Sequence, residues 1–201
     1  MTAHRRIPST NKCYRCWRIL FVPIATMVLT LLLFASPQAS AQENKPAEYK
    51  VKAVYLYNFG KFVQWPAGTA PEGTENGFPI CVLGPDPFGA TLDEIVKGES
   101  IEGQSLVTRR IDRVEGADGC RILFITAMPK ERLTMTLQTL QSKPVLTVSD
   151  MPDFCNRGGM IQFVLQADKV RFEVNLPPAE KAGLTLSSQL LKVATSVLKS
   201  P

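Results

Sequence analysis

Residues 79–84 read PICVLG, residues 121–126 read RILFIT and residues 144–148 read PVLTV. These three runs decide the fold. A strand with one wet face alternates apolar and polar residues, but these runs are apolar on both faces. Such strands belong in the middle of a sheet covered on both sides, as in the parallel centre of an α/β protein. Helix-like pieces at 90–97 and 130–141 lie between them, with a further candidate strand at 105–111. Strands alternating with helices predict a layered α/β fold, a mostly parallel central sheet flanked by helices.

The chain after the third run has a different period. Ile161, Phe163 and Leu165 alternate with polar or exposed positions, and so do Val170, Phe172 and Val174. Two alternating runs joined by Gln166-Ala167-Asp168-Lys169 predict a C-terminal antiparallel hairpin with one buried face. Its other face then presents Gln162, Arg171, Glu173 and Asn175. Pro177-Pro178 opens a short helical turn that closes at Gly183. A last helix is expected over 188–198, with Leu190, Leu191, Ala194, Val197 and Leu198 as its apolar stripe and Ser187 as its N-cap.

Upstream of the first run, residues 48–65 have a helical period. Val51, Tyr55, Phe59 and Phe62 recur at spacings of four, four and three, while Lys50, Lys61 and Gln64 face water. Pro66 is the expected stop, because proline cannot continue the hydrogen-bond ladder. Residues 67–77 read as an exposed loop, and residues 42–47 as a polar lead-in, mobile at a processed terminus.

Residues 1–41 read as a secretory signal. Arg5, Arg6, Lys12, Arg15 and Arg18 form a basic start without an acid. An apolar run follows over 19–34, and Ala39-Ser40-Ala41 supplies the small-x-small end. Cleavage is expected after Ala41, leaving 160 of the 201 residues as one domain over 48–201 behind its lead-in. The competing reading is an uncleaved anchor; the run includes Pro23 and is short for a span of about 20 residues.

Removing that segment changes what the chain can do. The 23 basic residues fall by five to 18, equal to the 18 acidic ones, so the net charge of +5 belongs to the signal. No dense basic run is left to attract nucleic acid or a membrane surface. The only histidine, His4, goes too. Ser-His-Asp and Cys-His catalysis and His-ligated zinc are thereby excluded, and no cofactor is expected.

The cysteines divide the same way. Cys13 and Cys16 are lost with the signal, and Cys81, Cys120 and Cys155 remain. Cys81 lies near the start of one central strand and Cys120 just before another. If those strands are parallel neighbours, the two α-carbons are roughly 5 Å apart, which suits a disulfide in an oxidising compartment. The alternative is two buried free thiols. Cys155, in the turn-like Asp153-Phe154-Cys155-Asn156-Arg157-Gly158-Gly159, reads as a free thiol or an intermolecular link.

Other motifs read as structure. Gly84-Pro85-Asp86-Pro87-Phe88-Gly89 sits where α/β proteins bind ligands, but two prolines remove N–H groups that a phosphate cradle needs, so it reads as a rigid turn. Asp150 and Asp153 are acid–base candidates without a third group, and loop aspartates usually cap or turn. Asp93-Glu94 reads as a solvated helix face. Ser196-Val197-Leu198-Lys199 fits Ser-x-x-Lys but lies at the extreme C-terminus.

The run Tyr49-Lys50-Val51-Lys52-Ala53-Val54-Tyr55-Leu56-Tyr57-Asn58-Phe59-Gly60-Lys61-Phe62-Val63-Gln64-Trp65-Pro66 resembles the opening helix of the YfiR family of exported bacterial regulators. The likeness continues in order through the residues 84–89, Val145-Leu146-Thr147-Val148-Ser149-Asp150 and Gly158-Gly159-Met160-Ile161-Gln162-Phe163. It ends with Phe172-Glu173-Val174-Asn175, Ala182-Gly183-Leu184 and Ser187-Ser188-Gln189-Leu190-Leu191. The resemblance implies a periplasmic α/β domain, often dimeric and without known catalysis. Such a domain represses a membrane-bound diguanylate cyclase of the YfiN type by binding its periplasmic sensor domain, which lowers cyclic-di-GMP signalling and biofilm formation. It also implies that Cys81 and Cys120 form a disulfide supporting folding. Cys155 matches half of a second bridge whose partner is absent near Gln162, and Glu173 matches a partner contact. The competing expectations are a small-ligand sensor at residues 84–89 and 149–153, and a hydrolase using Asp150 and Asp153.

Overall fold

The three apolar runs become three adjacent strands in the computed structural model, which describes residues 45–68 and 77–199. The signal reading over 1–41, the start of the 42–47 lead-in and most of the 67–77 loop lie outside the described residues. Helix α1 (Lys45–Phe62) leads into a short strand β1 (Val63–Gln64). Next come β2 (Gly77–Leu83), α2 (Ala90–Val96), β3 (Ser100–Ile101), β4 (Gln104–Ile111), β5 (Ile122–Ile125) and α3 (Lys130–Leu140). Strand β6 (Leu146–Ser149) precedes the hairpin of β7 (Ile161–Gln166) and β8 (Lys169–Asn175). The chain closes through α4 (Leu176–Lys181), β9 (Thr185–Leu186), α5 (Ser188–Val193) and β10 (Ser196–Leu198).

Eight strands make one sheet in the order β10-β8-β7-β6-β5-β2-β4-β3. The centre, from β4 through β2, β5 and β6 to β7, is parallel throughout. Antiparallel pairing enters at β3 with β4 and at the β7–β8 hairpin. Alternate residues of the central strands feed two cores. Ile80, Val82, Ile122 and Phe124 join Ala53, Leu56 and Phe59 of α1 on one face. Cys81, Leu83, Leu123 and Ile125 join Leu133, Leu137 and Leu140 of α3 on the other. This is why the runs are apolar on both faces: alternate side chains enter two helix-covered layers. Among the described residues no helix is long and apolar enough to cross a membrane.

Helix α1 differs from its sequence reading in extent and phase. It starts three residues before Glu48 and stops at Phe62, well before Pro66. Val63 and Gln64 leave the helix to pair with Leu186 and Thr185 of β9. Its buried residues are Lys52, Ala53, Leu56, Phe59 and Gly60, while Val51, expected in the core, is exposed. The face turns because Gly60 lets the helix lie close against the sheet; a Cβ there would run into the Ile101 side chain. A salt bridge compensates the burial of Lys52.

The hairpin turn is tighter than the four-residue connection expected. Gln166 pairs with Lys169, and only Ala167 and Asp168 turn the chain, both at positive φ. The last helix is also shorter than the expected 188–198. Helix α5 is capped by the Ser187 hydroxyl, which accepts from Leu190 N at 3.2 Å, and it ends at Val193. Residues 196–198 then form β10, parallel to β8. The open edge of β8 offers backbone partners that a lone helix end lacks, beginning with Thr195 N donating to Phe172 O at 2.9 Å.

Candidate functional site

The outer face of the hairpin is built by strand alternation. Phe163 and Phe172 are register partners, and both are buried against α1. Their strand neighbours Gln162 and Glu173 therefore point to the other side of the sheet, also as register partners. Val164 opposite Arg171 and Gln166 opposite Lys169 continue this strip to the turn. Glu173 is half-buried. Among the described residues no side chain hydrogen-bonds or pairs with its carboxylate. A partly desolvated, unpaired carboxylate is a group that gains from an incoming cation or donor.

A short 3₁₀ turn, Cys155–Arg157, braces the base of that face. Cys155 N donates to Gln162 Oε1 at 3.1 Å, and Asn175 Nδ2 donates to Cys155 O at 2.8 Å. The Cys155 sulfur is buried, 3.7 Å from the carbonyl of Glu173 and 3.9 Å from that of Met160. Gln162 thus ties this turn to β7 through its amide oxygen. Burial pushes the Cys155 thiol up to about 12, with the nearby negative charge of Glu173 adding to it. At pH 8 only roughly one such thiol in ten thousand is ionised. Alkylation of the native protein at pH 8 is therefore expected to leave the Cys155 peptide unmodified by mass spectrometry, and urea is expected to expose it. Prompt labelling of the folded protein would contradict this burial.

Cys81 and Cys120 are joined by a disulfide with α-carbons 5.9 Å apart. The bridge links β2 to the residues entering β5, on the α3 side of the sheet. It sits away from the hairpin and holds the two central strands in register.

The loops that end the central strands are occupied by their own contacts. Gly84 has positive φ, and a Cβ there would overlap the Thr126 hydroxyl, which itself donates to Leu83 O at 2.9 Å. Phe88 N donates to Asp86 at 2.8 Å, and Arg110 Nε donates to the same carboxylate at 2.9 Å. Arg110 also reaches Asp93 at 2.5 Å and Gly89 O at 2.9 Å. Asp93 is therefore not merely solvated, as the sequence suggested. The Arg110 hydrogen bond holds its carboxyl below the usual carboxylate range, against the opposing effect of burial. Glu94 is exposed.

Asp150 and Asp153 do not form a pair. Asp150 accepts from Lys52 Nζ at 2.6 Å and from Tyr49 Oη at 2.8 Å, and Lys52 also meets Glu48 at 2.5 Å. Lys52 lies over the Tyr49 ring, 4.3 Å from its centroid. Burial, then the Asp150 hydrogen bond, raises the Tyr49 phenol. Asp153 is an exposed turn residue at positive φ. The Asp150 cluster anchors α1 to the loop after β6. The Glu48–Lys52 half is legible as an i,i+4 pair, but the link to Asp150 spans 98 residues and no local signal announces it. Among the described residues no three His, Cys, Asp or Glu side chains gather to hold a metal ion.

Residues 49–195, most of the chain, match a family model described as YfiR/HmsC-like. Among solved structures, a conserved domain protein from Vibrio cholerae is similar at 12% identity with a TM-score of 0.45. That likeness covers 76% of this chain, which spans 60% of the other chain's length.

Proposed function

The chain belongs to the YfiR/HmsC-like family, and on that premise we propose that it is an exported periplasmic regulator that restrains a membrane-bound signalling protein. The target is the periplasmic domain of a diguanylate cyclase, and docking lowers cyclic-di-GMP output. The observation that carries the reading is Glu173, an unpaired half-buried carboxylate on the outer face of the hairpin. The face is rigid, braced by the Cys155–Arg157 turn and backed by Phe163 and Phe172. It therefore meets a partner with little ordering cost. The clefts and loops at the strand ends support a ligand sensor less well, because their polar groups are already satisfied within the fold.

Glu173→Lys is the direct test. The substitution reverses a charge that the fold does not use, so thermal stability is expected to change little. Loss of a charge-complementary contact of this kind costs on the order of 2–5 kcal/mol in binding. Cyclic-di-GMP in cells carrying only the Glu173→Lys protein is expected to rise to the level of a deletion strain. An unchanged cyclic-di-GMP level on deletion, with no periplasmic partner recovered by cross-linking, would sink the proposal.

A further inference from the structure

Strand β4 runs over Gln104–Ile111, but its outer neighbour β3 pairs only with Gln104 and Ser105. The rest of β4 is a sheet edge. Two hydrogen bonds fix which way its backbone faces. Leu106 N donates outward to Glu99 O at 3.0 Å, and Ile111 O accepts inward from Gly84 N at 3.0 Å. Peptide groups alternate in direction along a strand, so residues 105, 107, 109 and 111 bond toward β2. Leu106 O and the N–H and C=O groups of Thr108 and Arg110 face the other way. Among the described residues these outward groups have no hydrogen-bond partner.

Proteins usually guard such an edge with a proline, a bulge or charged side chains that stand in the way. Residues 104–111 contain no proline, and both arginines are turned onto the faces of the sheet. Arg110 folds toward α2, where it meets Asp86, Asp93 and Gly89 O. Arg109 points to the opposite face and donates to the carbonyls of Asp118 and Gly116, both at 3.2 Å. The two cations differ in their compensation. Arg110 has two carboxylates. Arg109 is half-buried and has none among the described residues, since the Asp118 carboxylate is taken by Lys143 at 2.5 Å. Val107, beside Arg109 on that face, is 39% exposed.

We propose that this edge receives an extended segment of another polypeptide, one with a carboxylate opposite Arg109 and an apolar side chain opposite Val107. Main-chain bonds to Thr108 and Arg110 supply the attraction, and the side chains on the Arg109 face set the choice of segment. A second copy of the chain is the natural competitor, and it fits worse. Two-fold antiparallel pairing must set outward residues against outward ones. Centred on Thr108, it brings Arg110 of the copy to the place beside Leu106 that Glu99 already fills. Centred on Arg109 or on Arg110, it sets an arginine directly opposite its own copy, and like charges so placed are destabilising. An acidic segment meets neither obstacle. The inference does not depend on Glu173, because β8 lies toward the other end of the sheet from β4.

The probe is a fluorescein-labelled peptide of sequence Thr-Val-Thr-Glu-Thr-Val-Thr, which reads the same in both directions, with a counterpart carrying lysine in place of glutamate. Fluorescence anisotropy is expected to show saturable binding of the acidic peptide, and binding of the lysine peptide weaker by about tenfold or more. Thr108→Pro removes an N–H that no sheet bond uses, so circular dichroism should show it folded while binding falls by about tenfold or more. Arg109→Glu should invert the preference between the two peptides, which decides the matter even if the proline variant fails to fold. In hydrogen exchange the acidic peptide should slow the amides of Thr108 and Arg110. Glu173→Lys should bind the peptide as the parent does, which separates this edge from the hairpin face. Absence of saturable binding, equal binding of the two peptides, or a preference that Arg109→Glu leaves unchanged would overturn the proposal. So would undiminished binding by folded Thr108→Pro, or self-association in sedimentation velocity that Thr108→Pro abolishes, since a second copy would then hold the edge.

Discussion

Replacing both Cys81 and Cys120 with alanine is expected to lower the free energy of unfolding by about 4 kcal/mol. The two residues are 39 apart in sequence, and the bridge removes the freedom of a loop of that size from the unfolded chain. Alanine is the appropriate replacement because both positions are buried, and a serine hydroxyl there would add a separate desolvation cost. The loss is a large share of the roughly 5–15 kcal/mol that keeps a domain of this size folded. Urea denaturation read by circular dichroism measures it. Reductant is expected to reproduce the loss in the parent protein and to do nothing further to the double variant. A loss below about 1 kcal/mol would mean that the unfolded chain is already restricted between these residues. The bond that holds β2 beside β5 forms where thiols are oxidised, the kind of compartment that the proposed export would reach.

The centre of the sheet was readable because a strand buried on both faces leaves an unambiguous composition. Ile80, Cys81, Val82 and Leu83 each have an apolar layer to enter, so no polar residue interrupts them. The hairpin was readable from its alternation, with Phe163 and Phe172 buried against Phe59. Gln162, expected on the open face, is instead buried under the Cys155–Arg157 turn, and Leu165, expected on the buried face, is exposed near the hairpin turn. Helix α1 was harder. Its stripe Val51, Tyr55, Phe59 and Phe62 is genuinely apolar, yet the fold buries Lys52 and leaves Val51 out. What decides that phase is Asp150, supplied from across the fold, and the close approach at Gly60. Neither is a local property of the helix sequence. The C-terminal segment failed likewise. Leu190, Leu191, Ala194, Val197 and Leu198 satisfy a helical period, but Val197 and Leu198 also satisfy a strand, and the open edge of β8 settles the choice.

The candidate site divides along the same line. Alternation put Glu173 on the outer face of the hairpin beside Gln162, and register pairing places the two opposite each other. That the carboxylate lacks a partner, while Asp150 and Asp93 have theirs, is a matter of tertiary neighbours. Lys52, Tyr49 and Arg110 answer those two aspartates from distant elements, and nothing answers Glu173 among the described residues. Asp150, which looked like chemistry in the sequence, proved to be a structural tie, and Asp153 an exposed turn residue. Glu173, half-buried on the hairpin face, has no such tie.

Phe59→Ala is the second large effect expected, and it links the core to that face. Phe59 is 1% exposed and stands at the centre of an aromatic cluster. Its ring stacks on Phe163 at 5.8 Å between centroids, meets Phe172 edge-on at 5.1 Å and lies 5.9 Å from Tyr55. Phe163 and Phe172 are themselves the register pair on the inner face of the hairpin. Truncation removes the ring from between α1 and the hairpin, and neither a helix nor a sheet can collapse fully into the gap. The expected cost is about 4 kcal/mol, cavity included. Phe59→Leu keeps most of the volume, so its cost should fall to roughly 1–2 kcal/mol. The functional consequence differs from that of Glu173→Lys. With the inner face unsupported, hydrogen exchange across β7 and β8 is expected to quicken in Phe59→Ala, and restraint of the partner should weaken although Glu173 is intact. Glu173→Lys should abolish restraint with exchange unchanged. If Phe59→Ala cost less than about 2 kcal/mol and left hairpin exchange untouched, α1 would not be what holds the hairpin rigid, and the face would owe its order to the Cys155–Arg157 turn alone.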